Sequence, residues 1–344
     1  MSGGRLILAL NGGSSSVKYA LFRGEDELAR GAANHLSDDR SATLEAIAQR
    51  LSAAGHPSPE AIGHRIVHGG PRRRVPALFD RQLRADLDAA VPFAPLHLPG
   101  ELQLIDAAAA RYQAVPQFVC FDTGFHRDMP EVAQRFALPE PLYAQGIRRY
   151  GFHGLSYQYV VAQLGAEKLG RAVIAHLGSG SSLVAVHGGR SLDTTMAFTP
   201  TAGLVMSTRT GDLDPGVLLY LLQQGYDAKT LERLINHESG LLALSQRTGD
   251  IKELVERAPR DARAALAIEI FCRSIVKGVG ALVAVLGGLD SLVFTGGVGA
   301  HSKEIRDRVV SQLGYLGRGY IVHALETDEE RVIARAGQQL LGDG

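Results

Sequence analysis

The stretch LILALNGGSSSVKYALF, residues 6–22, decides the fold class. An apolar strand, Leu6 to Leu10, is followed by the Gly/Ser loop Asn11 to Ser16 and by a second apolar strand, Val17 to Phe22. A loop of this kind between two strands predicts a β-hairpin. A Walker A loop would instead need GxxxxGK[ST] at the start of a helix, and its absence here argues against the P-loop class.

The pattern of strand, Gly/Ser loop and strand recurs about half-way along the chain. The apolar strand Ala172 to Leu177 leads into the loop Gly178 to Ser182, and a second strand follows over Leu183 to His187. Self-similarity of this kind indicates a repeated structural unit. The repeat and the length of 344 residues predict two similar domains.

A third glycine-rich segment, Thr295 to Gly299, follows the apolar strand Ser291 to Phe294. Ser302 is placed to cap a helix that runs through Leu313. Glycine lets the backbone approach phosphate oxygens, and serine hydroxyls donate hydrogen bonds. Each segment alone is equally well explained as a tight turn, but the three together favour binding of a polyphosphate such as a nucleotide.

Composition and charge argue against several other classes of protein. Thirty-six basic and 36 acidic residues leave no net charge that would attract nucleic acid or an anionic membrane. Cys120 and Cys272 form no CxxC spacing, which argues against a disulfide framework or a thiolate zinc site. The apolar runs are too short for a signal peptide or a membrane span. We therefore expect a cytoplasmic protein with no nucleic-acid or membrane partner.

A first group of candidate site residues follows the hairpin. The segment GHRIVHGG, residues 63–70, places Arg65 between two histidines, and PLHLP, residues 95–99, holds His97 between prolines. A guanidinium fork matches a carboxylate bidentately, so Arg65 is a candidate for binding an acid. Histidines near turns are more often hydrogen-bonded structural groups than metal ligands.

Three further segments carry charge. Asp122 directly follows an apolar strand, where α/β folds place catalytic groups, and its alternative role is a cap. RRYGFHG, residues 148–154, combines two cations with a histidine, and its alternative is a basic surface patch. STRTGDLDP, residues 207–215, carries an arginine, whereas Asp212 and Asp214 are expected to cap the helix that follows.

These segments resemble, in the same order, the successive motifs of the acetate kinase family. The matching motifs cover nearly the whole chain: NGGSSSVK, GHRIVHGG, APLHLPGEL, FDTGFH, GIRRYGFHG, HLGSGSS, SLDTTMAFTPTAGL, STRTGDLDPG, VFTGGVGAHS and TDEERVIA. The resemblance implies an α/β fold of the acetate and sugar kinase, Hsp70 and actin superfamily, with two actin-like (ribonuclease H-like) βββαβαβα domains and an interdomain active-site cleft. It implies an N-terminal domain of residues 1–124, on which the C-terminal helix of 331–344 packs back, and a nucleotide-binding domain of residues 125–330.

The resemblance also implies an activity. It is that of acetate kinase, the reversible transfer of the γ-phosphoryl group of ATP to acetate, giving acetyl phosphate and ADP, with Mg²⁺ or Mn²⁺ as cofactor and a homodimer as the assembly. A propionate or other short-chain acyl kinase is an alternative, because one methylene in an apolar pocket changes binding by only about 1–3 kcal/mol. An Hsp70-like nucleotide-binding interaction module is an alternative from a different class.

Roles follow from the resemblance residue by residue. Three residues match the family's catalytic group: Asp122, His153 and Arg209. Two match residues around the metal: Asn11 and Glu329. Six match the acceptor site, with its carboxylate-binding arginine and small apolar pocket: Arg65, Val67, Leu96, His97, Phe152 and Pro200. Fourteen lie at positions that correspond to the family's nucleotide contacts: Lys18, His176, Leu177, Gly178, Ser179, Gly180, Asp250, Ile251, Lys252, Gly297, Val298, Gly299, Ala300 and His301. At four of them, Ser179, Lys252, Ala300 and His301, this chain departs from the family's usual residue.

The chemistry of phosphoryl transfer agrees with this set of residues. Catalysis comes mainly from cations that neutralise the equatorial oxygens while the acceptor is held in line. Arg65, Arg209 and His153 supply such charge. A carboxylate acceptor, with a pKa near ~4, is already ionised at neutral pH. We therefore expect Asp122 to position metal and substrate rather than to remove a proton.

Overall fold

The computed structural model describes the chain over residues 3–13, 16–34, 40–317 and 319–342. Ser14 and Ser15 of the predicted hairpin loop lie outside the described residues. Within those ranges, no helix combines the length and the apolar character that a membrane span needs.

The chain divides into two compact units. We call Met1–Arg127 together with Asp328–Gly344 the first unit, and Asp128–Thr327 the second unit. Each unit contains one β-sheet with helices packed against it. The domain boundaries expected from the sequence, 1–124 with 331–344 and 125–330, stay a prediction.

The first unit is built on a six-stranded sheet. Its strands are β1 (Leu6–Gly12), β2 (Ser16–Arg23), β3 (Asp26–Asn34), β4 (Ala61–Ile66), β5 (Ala77–Leu78) and β6 (Gln117–Phe121). They lie in the order β3-β2-β1-β4-β6-β5. β1 and β2 pair antiparallel, with Leu8 opposite Leu21, and form the predicted hairpin. β1, β4 and β6 run parallel, so the residues that follow them meet at one edge of the sheet.

Helices cover both faces of this sheet. With numbering along the whole chain, they are α1 (Arg40–Ala53), α2 (Arg81–Ala90), α3 (Leu98–Arg111) and α15 (Glu329–Leu341), with short 3₁₀ helices at Val91–Phe93 and Asp122–His126. One face of β1 joins a core with α1 and α3, in which Leu8, Leu44 and Leu104 are buried. The other face packs against α15.

Two glycines let α15 approach the sheet closely. A Cβ on Gly63 of β4 would lie 2.4 Å from Cγ2 of Ile333, and a Cβ on Gly337 would lie 2.4 Å from Cζ of Phe118. Both distances are shorter than any real carbon contact, so neither position has room for a methyl group. The helix that ends the chain is therefore held tightly on the first unit.

The second unit is built on a five-stranded sheet. Its strands are β7 (Ala172–Leu177), β8 (Ser181–His187), β9 (Arg190–Thr194), β10 (Ser291–Thr295) and β11 (Ile321–Ala324). They lie in the order β11-β10-β7-β8-β9. β7 pairs antiparallel with β8 and parallel with β10, so the pattern of a hairpin beside a parallel strand repeats that of the first unit.

Helices make up most of the rest of the second unit. They are α4 (Glu131–Gln134), α5 (Glu140–Ala144), α6 (Gly154–Leu164), α7 (Ala166–Leu169), α8 (Pro215–Gln223), α9 (Ala228–His237), α10 (Gly240–Ser245), α11 (Ile251–Arg257), α12 (Ala262–Leu286), α13 (Gly296–His301) and α14 (Lys303–Gln312), with a 3₁₀ helix at Gly314–Leu316. The long helix α12 buries Phe271 and Ile275 against the sheet residues Val173 and Phe294.

Strands extend into the predicted glycine loops. In the first loop, β1 includes Asn11 and Gly12, and β2 begins at Ser16. Ser182 pairs with His176 in the antiparallel register, so the predicted loop Gly178 to Ser182 is reduced to Gly178–Gly180. The predicted loop at 295–299 is wrong, because Thr295 completes β10 and Gly296 begins α13. Gly296 has a φ of +73°, and a Cβ there would lie 2.6 Å from the carbonyl oxygen of Leu177. This conformation lets the chain turn directly from strand into helix.

The two aspartates of the 207–215 segment have different roles. Asp214 caps α8, since its Oδ1 accepts a hydrogen bond of 2.7 Å from the Gly216 amide. The expectation that Asp212 caps the same helix is wrong. Its Oδ1 accepts from the amide of Gly203 at 2.8 Å, and its own amide donates to the Gly203 carbonyl at 2.9 Å, which closes the loop between them.

Candidate active site

Four polar side chains of the first unit converge at the edge where its parallel strands end. Asn11 lies at the end of β1, Arg65 near the end of β4, and Asp122 directly after β6. Glu329 is the first residue of α15. The topology brings these residues together from sequence positions more than 300 residues apart.

Arg65 forms an ion pair with the buried Asp122. Nε and Nη2 of Arg65 both donate to Oδ2 of Asp122, at 3.0 and 2.5 Å, and Nη1 donates to the carbonyl of Gly12 at 3.3 Å. Burial lowers the pKa of the Arg65 guanidinium, but the neighbouring carboxylates of Asp122 and Glu329 raise it by more. Arg65 therefore remains charged in the interior.

Asn11 connects the hairpin to the start of α15. Its Nδ2 donates to Oε2 of Glu329 at 2.8 Å and to Oε1 of Glu330 at 2.9 Å. Burial raises the pKa of Glu329, an effect that Arg65 opposes and Asp122 strengthens. The carboxylates of Glu329, Asp122 and Glu330 repel one another, and a cation bound near them would relieve this repulsion.

One carboxylate oxygen in this group has no protein partner. Asp122 is 1% exposed, and among the residues that the structure describes its Oδ1 finds no hydrogen-bond donor. A buried anionic oxygen of this kind is costly unless a proton donor or a cation satisfies it. The described ranges contain no cluster of three or more His, Cys, Asp or Glu side chains that could enclose a metal. Mg²⁺ in nucleotide sites is typically held by one or two carboxylates with phosphates and water, and Asp122 and Glu329 fit that requirement.

Two of the predicted acceptor residues line a small cavity of the first unit, and two more contact a residue that lines it. The cavity has a volume of about 110 Å³, and its lining includes Leu96 and His97. Glu101, which also lines it, accepts two hydrogen bonds from the amide of Val67 and lies 4.0 Å from Nη1 of Arg65. Burial raises the pKa of Glu101 to about 7. The acceptor residues Phe152 and Pro200 belong to the second unit.

The histidines around Arg65 have structural contacts. His64 is buried, and its Nε2 lies 2.7 Å from Oε1 of Gln117. Burial lowers the pKa of His64 to about 4. Nδ1 of His68 accepts from the amide of Gly70 at 2.8 Å. These contacts agree with the structural reading of both residues.

In the second unit, His153 and Arg209 converge beside the Gly178–Gly180 loop. A Cβ on Gly180 would lie 3.4 Å from Nε2 of His153 and 3.6 Å from Nη1 of Arg209. Nδ1 of His153 is held by Oγ of Ser182 at 2.8 Å, and its ring stacks on that of His176 at 4.1 Å. The glycine thus leaves a space where two nitrogen groups face the same point, which suits a phosphoryl group.

Arg209 is presented by a loop with many backbone hydrogen bonds. The amide of Met206 donates to the carbonyl of Arg209 at 3.2 Å, and Nη1 of Arg209 donates to the carbonyl of Pro200 at 3.1 Å. Gly240, with a φ of +62°, packs where a Cβ would lie 2.2 Å from the Met206 carbonyl oxygen. These contacts hold the guanidinium in place before any ligand binds.

Two of the three nucleotide segments predicted from the sequence are connected through Ser207. Its amide donates to the carbonyl of Ser179 at 3.2 Å, and a Cβ on Gly249 would lie 2.6 Å from its carbonyl oxygen. Gly249 precedes the segment Asp250–Lys252. On the other side, α13 begins against Leu177 at the end of β7. The structure therefore brings all three segments to one end of the second sheet.

Several predicted nucleotide residues have other partners or face solvent. The carboxylate of Asp250 caps α11 by accepting from the amides of Lys252 and Glu253. His301 pairs with Glu326 at 3.1 Å on the surface. Lys18 is exposed on β2, opposite Asn11 in the hairpin register. Their roles toward a nucleotide stay predictions.

Sequence reasoning missed several residues that support the site. They are Glu101 beside Arg65, Glu330 beside Asn11, and Ser182 with Tyr157 behind His153. Glu101 follows directly after LPG in the APLHLPGEL motif, and an acid in the first turn of a helix after a proline was a signal for it. Ser182 and Tyr157 gave no such signal, because their partnership depends on α6 packing beside β8.

A family model and several known proteins match most of this chain. The Acetokinase family model matches residues 30–341. A relative from Nitrobacter hamburgensis, named acetate kinase, is 39% identical, and the match covers 98% of this chain and 96% of the relative.

Solved structures match over a similar extent. A Porphyromonas gingivalis acetate kinase is 32% identical with a TM-score of 0.88, and the match covers 98% of this chain and all of that one. A Francisella tularensis propionate kinase is 32% identical with a TM-score of 0.92 over the same shares. The fold expected from the sequence, α/β with two actin-like domains, is confirmed. The chain belongs to the acetokinase family.

Proposed function

We propose that this chain transfers the γ-phosphoryl group of ATP to acetate and catalyses the reverse reaction from acetyl phosphate and ADP. Membership of the acetokinase family supports a phosphotransferase with a carboxyl group as acceptor. The observation that carries the proposal is the ion pair of Arg65 with the buried Asp122, whose Oδ1 lacks a partner among the residues that the structure describes. A pair of this kind suits a site that receives both an anionic acceptor and a cation.

The residues suggest how the reaction proceeds. Arg65 orients the acceptor carboxylate, which attacks the γ-phosphorus in line while the bond to the ADP oxygen breaks. Arg209 and His153 donate hydrogen bonds to the equatorial oxygens, where negative charge is concentrated. No general base is needed, because the acceptor is already ionised.

The cofactor is part of the proposal. Mg²⁺, or Mn²⁺ in its place, would be held by Asp122 and Glu329 with Asn11 nearby, and when bound it neutralises phosphate charge. Asp122 then positions the metal and, through Oδ2, holds Arg65 in orientation. The nucleotide phosphates would lie against the Gly178–Gly180 loop.

A homodimer is also proposed, and helix α8 supports it. The helix has no buried residue, although its sequence PGVLLYLLQ is almost entirely apolar. Leu219 is 61% exposed and Tyr220 is 60% exposed. An apolar helix with no fully buried residue marks an interaction surface, and a second copy of this chain is the proposed partner. We further place the protein in the cytoplasm.

Propionate is the second candidate acceptor. The solved propionate kinase from Francisella tularensis superimposes with a TM-score of 0.92, at least as well as the acetate kinase. One methylene changes binding in an apolar pocket by only about 1–3 kcal/mol, so both acids are expected to react.

The test is ATP-dependent acyl phosphate formation, trapped as the hydroxamate. Acetate, propionate, butyrate and glycerol are compared at equal concentrations with Mg²⁺, and Asp122→Asn serves as the inactive control. Activity with acetate above that with glycerol is expected. Silence with every acid, from a folded protein that binds ATP, would favour the nucleotide-binding interaction module instead.

A further inference from the structure

The small cavity of the first unit is lined by a cationic side chain, Arg40, that has no part in the proposed mechanism. The cavity, of about 110 Å³, is lined by Gly12, Arg40, Leu96, His97, Glu101 and Leu104 among others. Arg40 is the first residue of α1 and lies outside every motif that carries the family resemblance.

One nitrogen of the Arg40 guanidinium, Nη1, is buried without a hydrogen-bond partner among the described residues. Such a group loses its hydration without compensation unless a ligand or an ordered water supplies an acceptor.

Gly100 makes room for this side chain. A Cβ at position 100 would lie 2.9 Å from Nη2 and 3.4 Å from Nε of Arg40. Any larger residue would displace the guanidinium from the cavity wall. The arginine is therefore accommodated over the first turn of α3, which also carries Glu101.

The cavity wall is shared with the surroundings of Arg65. Gly12 lines the cavity and accepts a hydrogen bond of 3.3 Å from Nη1 of Arg65. Glu101 lines it as well, 4.0 Å from the same nitrogen. An acceptor whose carboxylate is held by Arg65 would thus lie next to the cavity, and a substituent on its carbon chain has Arg40 and Glu101 within the same cavity.

The side chains of Arg40 and Glu101 indicate which substituent of the acceptor the cavity would bind. A hydroxyl group can accept from Arg40 and donate to Glu101 at the same time. A second carboxylate would meet the carboxylate of Glu101, and a methyl group would leave Nη1 of Arg40 without an acceptor. Among polar substituents, a hydroxyl matches the pair best.

We propose that Arg40 is a specificity-determining residue of the acceptor site, which with Glu101 binds the hydroxyl of a short 2- or 3-hydroxycarboxylic acid. This inference rests on the proposed function. In the reaction, a carboxylate oxygen of the hydroxy acid forms the bond to the γ-phosphorus, the bond to the ADP oxygen breaks, and the hydroxyl keeps its hydrogen. The products are ADP and the hydroxyacyl phosphate.

Isosteric pairs of acids test the proposal. We would measure kcat/KM by the hydroxamate assay for glycolate against propionate and for 3-hydroxypropionate against butyrate, with malonate as the second-carboxylate probe and acetate as the reference. In the wild type, at least one hydroxy acid should exceed its isostere. Arg40→Leu should lower kcat/KM for that hydroxy acid by about 10- to 100-fold, the loss of a hydrogen bond to a charged donor.

Controls separate recognition from folding. Arg40→Leu should lower kcat/KM for the isostere by less than about threefold, because no hydrogen bond to it is lost. Arg40→Lys should restore part of the hydroxy-acid activity. Arg81→Leu, which removes an exposed arginine of α2, should change neither rate.

Three results would overturn the proposal. They are hydroxy acids that react no better than their isosteres, an equal loss for both members of a pair in Arg40→Leu, and malonate as the preferred acid. Each of these leaves acetate activity in the wild type intact. Failure of the proposed function itself would instead appear as a wild type inactive with acetate and propionate alike.

Discussion

Arg65 favours the ionised form of the carboxylates around it. Its guanidinium is paired with Asp122, and its positive charge opposes the rise in the pKa of Glu101 and Glu329 that burial causes. An acceptor carboxylate placed there would compete with Asp122 for the same nitrogens. Oδ1 of Asp122 has no partner among the described residues, so a cation bound there would compensate the negative charge of Asp122 when the acceptor takes its place on Arg65.

Arg209 should act in the transition state more than in nucleotide binding. Arg209→Ala is expected to lower kcat by roughly 10²–10³, because it removes a fixed charge from the transferring phosphoryl group, while KM for ATP changes little. Steady-state kinetics with acetate measure both constants. Arg190→Ala, at an exposed position of β9, is the matched control. An unchanged kcat would remove Arg209 from the proposed mechanism.

His64 should make the protein sensitive to acid. Its pKa is about 4 in the folded state and near 6.5 when unfolded, because burial disfavours the charged ring. The unfolded state therefore binds the proton more tightly, and stability is lost as pH falls from about 6.5 to 4. Relative to His64→Gln, the wild type should lose about 2–3 kcal/mol of unfolding free energy over this range.

Urea unfolding at several pH values measures this difference between the wild type and His64→Gln. Groups that titrate in both proteins cancel in the comparison. Parallel stability curves from pH 7 to pH 4 would mean that His64 is not the acid-sensitive group.

At the scale of elements, the contact of α15 with the first sheet depends on two glycines, Gly63 and Gly337. The helix packs across Gly63 and carries Gly337 over the ring of Phe118. This contact also places Glu329, at the start of the helix, beside Asn11. A helix that packed farther from the sheet would move a proposed metal residue.

Gly337→Ala should destabilise the first unit even though alanine favours helices. Helix propensity alone would add about 1 kcal/mol of stability. The new Cβ, however, would lie 2.4 Å from Cζ of Phe118, a fully buried ring, and overpacking of this kind costs about 1–3 kcal/mol.

Urea denaturation of Gly337→Ala shows whether the gain in helix propensity or the cost of overpacking is larger. Gly314→Ala is the control, because a Cβ there meets no atom within 4 Å. A gain in stability for Gly337→Ala would show that the helix and sheet can move apart without cost.

At the scale of the whole molecule, the exposed apolar face of α8 is the feature that a single chain leaves unexplained. Val217, Leu219, Tyr220 and Leu222 are all at least 40% exposed. Contiguous apolar surface of this kind is unfavourable in water unless a partner covers it.

Leu219→Glu should convert the proposed dimer into a monomer. A carboxylate placed in an apolar interface loses hydration and finds no counter-charge, so a weakening of about 100-fold or more is expected. Light scattering coupled to size-exclusion chromatography measures the mass. Leu138→Glu, at another exposed leucine, is the control for added charge. A monomeric wild type, or a dimeric Leu219→Glu, would contradict the assignment of this surface.

Much about this protein could be predicted from the sequence because its signals are local. The alternation of apolar strands with Gly/Ser loops predicted both hairpins, and the order of motifs predicted the family, since each depends only on neighbouring residues. Arg65 stood out because it lies between two histidines before a glycine turn, Asp122 because it directly follows an apolar strand, and Arg209 because it lies in a polar, turn-rich segment. Even the cap of α14 by Ser302 was visible from spacing.

Other features depend on residues that are distant in the chain. Glu101 beside Arg65 and Glu330 beside Asn11 became visible only when parallel strands and α15 met at one edge of the sheet. Burial without a partner among the described residues, as at Asp122 Oδ1 and Arg40 Nη1, exists only in the folded chain. Local sequence patterns indicate which residues are candidates for the site. Hydration, pKa and contact distance depend on how distant residues pack, so they follow only from the tertiary structure.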